Sequence, residues 1–227
     1  MNVSENGKRP YLVVLIASVA AVGGFLFGFD LQIIGGVKLF IEEEFNLGPY
    51  GVGFAMASAL LGCMAGPMLG GTLSDRWGRK PTLIFAGLLF AVGSIGSALP
   101  TNVLEFDLFR FLGGVGVGLA SVVSPMFIAE VSPPRIRGAL VTVNQLAIVA
   151  GLACAAVIAY YLSFGDHWRW MLASNAVPVP FFIVGLLLVP ESPRWLAQND
   201  RRQEAADVLT LIDGRQHAAT EMQDILT

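Results

Sequence analysis

Six long apolar runs separated by short polar or charged turns dominate the chain, at roughly residues 11–37, 51–70, 81–99, 108–130, 138–163 and 170–189. About 20 mostly apolar residues cross a hydrocarbon core. Lipid offers no partner to free backbone groups, and barrel strands are shorter and alternate, so runs this long predict α-helices. The expected fold is all-α: a polytopic membrane protein with a cytoplasmic tail over 1–10, a six-helix transmembrane bundle over 11–189 and a cytoplasmic helical segment over 190–227. The first run follows Lys8 and Arg9 as a secretory leader would, yet it exceeds the ~7–15-residue core of such a leader. It is read as a retained span.

The polar positions between and after the runs add detail. Gly71-Thr72-Leu73-Ser74-Asp75-Arg76-Trp77-Gly78-Arg79-Lys80 is a charged, glycine-punctuated loop joining the second run to the third. After the sixth run, Pro190-Glu191-Ser192-Pro193 stops one helix and starts another, with Ser192 as N-cap and Pro193 in the first helical position. A further helix is predicted from Asp200, which has capping-box spacing to Gln203. Its apolar stripe is Ala205, Val208, Leu209 and Ile212, and Gly214 ends it before a last turn over 215–227. Gly24/Gly28, Gly62/Gly66/Gly70 and Gly114/Gly118 recur four apart on single helix faces, a spacing that lets helix backbones approach closely in a membrane.

Composition agrees with the pattern. Hydrophobic residues make up 55% and charged residues 14%, against about 45–50% and 25% in soluble domains, and the mean hydropathy is +0.66. The net charge of −3 says little about partners, and the lack of a basic stripe argues against nucleic acid. Cys63 and Cys154 sit inside apolar runs, far from other metal-ligand residues, and read as packing groups; no metal or cofactor is expected. With no His cluster, Cys pair or nucleophile–base arrangement, the chain does not read as an enzyme.

Basic residues in short loops are retained on the cytoplasmic side. With the amino terminus inside, Lys8, Arg9, Arg76, Arg79, Lys80, Arg135, Arg137, Arg194, Arg201, Arg202 and Arg215 lie there, leaving Lys38, Arg110 and Arg169 of the 14 Lys and Arg. Both termini are then cytoplasmic. Tyr160, Tyr161, Trp168 and Trp170 fall where an outer aromatic belt belongs, and Trp195 where an inner anchor belongs.

Ionisable residues within spans are expensive and so are candidates for function. Asp30 lies about 10–15 Å in from the outer end of its helix and Arg110 about 5–10 Å in from its own, so the two are at compatible depth. One reading is a switchable ion pair in which Asp30 takes up a proton when Arg110 is drawn elsewhere; a static pair, or an Asp30 in contact with outer water, is the alternative. Asp75, Arg76 and Arg79 can reach Glu130, Glu191 or a neighbouring helix terminus, and Arg135 and Arg137 offer a second charged turn. Gln145, beside Asn144 and Thr142, is taken as the most polar buried position of the fifth span; its amide suits a hydroxyl-rich ligand.

These residues resemble the major facilitator superfamily. Gly71 to Lys80 matches that family's loop pattern at every defined position. Gly23-Gly24-x-Leu26-Phe27-Gly28-Phe29-Asp30, Arg110-x-x-Gly113-Gly114, Pro125-Met126 with Glu130, Pro133, Arg137 and Gly138, Asn144-Gln145, and Pro190 to Trp195 resemble its sugar porter branch. The resemblance implies a multi-pass protein of the plasma (inner) membrane that moves a monosaccharide by alternating access. Proton-coupled members carry an aspartate where Asp30 stands. By the same matching, Phe27 and Gln145 line the sugar site, and Asp75, Arg76, Arg79, Glu130, Arg137, Glu191 and Arg194 form a cytoplasmic gate network. Phe29 departs from the commoner tyrosine.

Length departs further, because family members have two six-helix halves related about an axis along the membrane normal and this chain resembles the first. The implied partners are a monosaccharide, protons, membrane lipid and a second six-helix half, either a separate chain or a carboxy-terminal continuation. This half alone is not expected to transport. A non-transporting assembly subunit and a passive uniporter stay open as readings.

Overall fold

The computed structural model describes residues 10–165 and 167–214. Lys8 and Arg9, the turn expected over 215–227 and Arg215 lie outside the described residues. The described chain forms α1 (Pro10–Glu44), α2 (Pro49–Trp77), α3 (Arg79–Ala98), α4 (Val103–Val131), α5 (Arg137–Ser163), α6 (Trp168–Ser174), α7 (Pro178–Leu188), α8 (Pro193–Gln198) and α9 (Arg202–Asp213). The fold is all-α, and α1 to α5 together with the α6–α7 tandem give six stretches long and apolar enough to cross a membrane.

Helix ends differ from the apolar runs where polar residues extend them. α1 continues through Glu42-Glu43-Glu44, beyond the end of its run at 37. The charged segment is not a loop: α2 runs on through Asp75 and Arg76 to Trp77, and α3 begins at Arg79. Gly78 alone makes the turn, with φ +101°, a conformation other residues rarely adopt. At the opposite end of the bundle, α4 begins as its sequence dictates. The Asn102 side chain accepts from the Glu105 N–H at 3.0 Å, and the Glu105 carboxylate accepts from the Thr101 N–H at 2.9 Å.

The sixth span is interrupted. Pro178 has no N–H to donate to the Ser174 carbonyl, and Asn175, Ala176 and Val177 instead donate to carbonyls three residues back at 3.0–3.2 Å. The single helix expected over 170–189 therefore becomes two. α8 starts as predicted, Ser192 accepting from the Trp195 N–H. α9 does not: Asp200 takes φ +59°, and the helix starts at Arg202 without a side-chain cap. Its stripe of Ala205, Val208, Leu209 and Ile212 is nevertheless buried.

Close helix approach holds the bundle together, with α1 against α5, α2 against α4 and α3 against α4. A Cβ on Gly62 would overlap the Phe111 carbonyl, one on Gly66 would stand 2.6 Å from the Leu119 nitrogen, and one on Gly114 would overlap the Ala59 carbonyl. Gly28 on α1 meets the Ile148 backbone of α5 in the same way. Gly70 has only ordinary contacts, so it is not part of this seam. Met64, Met68, Phe181 and Leu188 stand exposed on the outside of the bundle. Of the expected aromatic belt, Tyr160, Tyr161 and Trp170 are exposed, but Trp168 is 4% exposed and packs its ring edge to face with Phe45. Trp195 is likewise buried and is not a surface anchor.

Candidate functional site

Among the described residues, two buried charge centres stand out in the bundle. The first is inside it, where α1 brings Asp30 against Arg110 of α4. The guanidinium donates twice, from Nη1 to Oδ1 at 2.6 Å and from Nη2 to Oδ2 at 3.0 Å, and both residues are buried. This two-point geometry suits arginine and carboxylate planes. Asn175 completes the centre by donating from Nδ2 to Asp30 Oδ1 at 3.0 Å. It stands where the sixth span breaks, so the Pro178 interruption places an amide in an otherwise apolar interior. Sequence reasoning missed Asn175; the signal was an amide shortly before Pro178 and Pro180 in an apolar run. The pair joins α1, α4 and the sixth span at one point. Removing one member of such a buried pair costs about 3–5 kcal/mol, since the other charge is left without compensation.

The two substrate candidates do not meet at this centre. Phe27 is half-buried on α1, packed against the main core. Gln145 is exposed, contrary to its reading as a buried amide. The buried stripe of α5 is Leu140, Asn144, Gly151, Ala155 and Ala159, and successive helical residues are about 100° apart, so burying Asn144 turns Gln145 outward. Asn144 itself faces Gly24 of α1, whose missing side chain makes room for it.

The second centre lies at the end of the bundle where α2 turns into α3. Arg79, the first residue of α3, is buried there and donates to Glu130 from Nε at 2.9 Å and from Nη2 at 2.8 Å. Its Nη1 reaches the Ser74 carbonyl at 3.0 Å and the exposed Asp75 carboxylate at 3.3 Å. Glu191 caps α3, accepting from the backbone N–H groups of Arg79 at 3.2 Å and Lys80 at 3.1 Å, where the helix dipole favours an anion. Burial pushes the Glu191 carboxyl above its ordinary range, although these N–H groups, that of Ser192 and the Arg79 charge pull the other way.

Three further residues complete the network and were not singled out in sequence for this role. Ser192 donates its hydroxyl to Glu130, Trp195 donates Nε1–H to the Asp75 carbonyl at 2.8 Å, and Lys80 Nζ donates to the Val189 carbonyl at 2.9 Å. Arg76 and Arg194 are exposed and make no ion pair with a described residue; Arg137 donates to the Ser132 carbonyl at 3.3 Å rather than to a carboxylate. The network thus gathers Asp75, Arg79, Glu130 and Glu191 and leaves Arg76, Arg137 and Arg194 around it. Among the described residues, no cluster of His, Cys, Asp and Glu is arranged to hold a metal ion.

Comparison with known proteins adds a family. The model of a family described as sugar (and other) transporter matches residues 16–227. A glucose transport protein of Synechocystis is 40% identical over 93% of this chain and 48% of its own length. The arabinose-proton symporter of Bacillus subtilis is 39% identical over 94% of the chain and 48% of its own. The D-xylose-proton symporter of Escherichia coli K12 is 36% identical over 99% and 52%. The chain therefore spans about half the length of the curated relatives it matches.

Among solved structures, the major facilitator superfamily proton:xylose symporter XylE bound to 6-bromo-6-deoxy-D-glucose superposes with a TM-score of 0.92 at 37% identity, covering 95% of this chain and 52% of that one. XylE from E. coli in a partially occluded inward-open conformation gives 0.90 at 37% identity, over 94% and 58%. Its inward-open conformation gives 0.86 at 37% identity, over 94% and 55%.

Proposed function

The chain belongs to the sugar (and other) transporter family of the major facilitator superfamily, and from that membership we propose that it is the amino-terminal six-helix half of a proton-coupled monosaccharide symporter working by alternating access. The observation that carries the proposal is the buried Asp30–Arg110 pair. Ionised, Asp30 holds Arg110 and ties α1 to α4; protonated, it loses the charge that holds the guanidinium. Proton uptake thereby changes the contacts between α1 and α4.

The exposed amide of Gln145 and the half-buried ring of Phe27 then face the sugar where a second six-helix unit completes the site. The Arg79–Glu130–Glu191 centre is the cytoplasmic gate, with Arg76, Arg137 and Arg194 on its outer surface and both termini on that side. The half-length match also favours a second reading, a non-transporting subunit that docks onto a full-length transporter.

Sugar uptake into proteoliposomes under an imposed proton gradient separates these. The chain alone is expected to give no uptake, and the chain supplied with a complementary six-helix unit to accumulate sugar. Asp30→Asn abolishes accumulation while leaving proton-independent exchange. Undiminished accumulation by Asp30→Asn overturns coupling through Asp30, and no uptake by any complemented form favours the subunit reading.

A further inference from the structure

Asp107 stands on α4 three residues before Arg110 and has no part in the two centres described above. It is 8% exposed, and its Oδ1 has no hydrogen-bond partner among the described residues. It lines a cleft of about 180 Å³ between α2 and α4, together with Phe54, Ser58, Leu61, Leu108 and Phe111. The Ser58 hydroxyl donates to the Ala55 carbonyl at 2.8 Å, so the cleft offers Asp107 no donor. The nearest carboxylate on the same helix, Glu105, is turned to Thr101.

Arg110 shows the opposite deficit, because its buried Nε has no acceptor. Buried polar groups are ordinarily satisfied, and each exception asks for a reason. An acceptor without a donor and a donor without an acceptor here sit one turn apart on one helix. Side chains at i and i+3 have Cβ atoms about 5–6 Å apart, within the reach of an arginine that changes rotamer.

We propose that Asp107 is the second seat of Arg110. When Asp30 takes up a proton, the guanidinium leaves α1 and pairs with Asp107 on its own helix. The proton stays on Asp30, the arginine keeps its charge, and the buried cation is never left without a carboxylate. Asp107 is a positioning residue, acting through Arg110. The proton trigger rests on the coupled reading of Asp30, whereas the hand-over is a property of these side chains and is tested without transport.

Asp30→Asn imitates the protonated state, so the test is a thermal-unfolding cycle on the purified chain in detergent. In the native background, Asp107→Leu removes an unpaired buried carboxylate and leaves Tm unchanged or raised. In the Asp30→Asn background it removes the remaining carboxylate seat and lowers Tm by roughly 5–10 °C, while Asp107→Glu, which keeps the carboxylate, does not. An Asp30→Asn/Asp107→Leu protein that fails to fold while the Asp107→Glu counterpart folds supports the proposal equally. The same Tm shift in both backgrounds, or no rescue by Asp107→Glu, overturns it. Failure of proton-driven uptake with the Tm coupling intact overturns only the symport reading.

Discussion

Arg79 differs from its neighbour Arg76 in what surrounds it rather than in its chemistry. Arg79 is buried and bonded to Glu130 through two nitrogens, while Arg76 is exposed three residues earlier. Arg79→Ala should destabilise the chain by about 3–5 kcal/mol by leaving Glu130 uncompensated, whereas Arg76→Ala should stay within about 0.5 kcal/mol; thermal unfolding in detergent reads both. Glu191 adds a pH dependence. Its folded carboxyl is raised by burial, so the folded chain binds this proton more readily than the unfolded one. Its contribution is full below the ordinary glutamate value of about 4.3 and is lost as pH rises through the folded value. The Tm of the native chain should therefore decline relative to Glu191→Gln between pH 4 and pH 7, and parallel profiles would show that Glu191 does not titrate differently on folding. Sequence alone marked Asp30 and Arg110 because a charge in an apolar run stands out whatever its partner. It misjudged the burial of Gln145 because adjacent amides on a helix differ only by which one meets α1, and that is set by packing.

Helices were legible where length and apolarity decide them and less so where a single residue does. The apolar runs marked the spans, but the α2–α3 connection shrank to Gly78 because charged residues can continue a helix beyond the hydrocarbon. The sixth span broke at Asn175 because Pro178 removes a bond that a hydropathy pattern does not register. Glycine at helix seams gives a direct test. Gly66→Ala places a methyl 2.6 Å from the α4 backbone and should cost about 1–3 kcal/mol through overpacking. Gly53→Ala, on the same helix with open space around it, should stabilise by about 1 kcal/mol. Equal effects in unfolding measurements would mean that the α2–α4 approach is looser than described.

At the scale of the molecule, the two charge centres lie at different depths of one bundle, and its lateral surface is apolar. If the Arg79 centre is the cytoplasmic end, single cysteines placed at Gly48 and Thr101, in a background lacking Cys63 and Cys154, should react with an impermeant thiol reagent added outside intact cells. One at Arg135 should react only after permeabilisation. The reverse pattern would invert the chain in the membrane and with it the assignment of the gate.

The sixth span touches both centres. Asn175 at its break holds Asp30, and the carbonyls of Leu187 and Val189 at its far end hold Lys80 beside the Glu191 cap. Between them α7 is a helical rod of roughly 16 Å. Such a rod, pinned at each end by hydrogen bonds, is a strut: an axial shift at Asp30 must be transmitted to Lys80, absorbed in the three-residue break at 175–177, or break the bonds at one end. The spacing of the two charge centres along the sixth span is thus set by the eleven residues of α7, and adding or removing one residue in the break before it would place the two centres out of step.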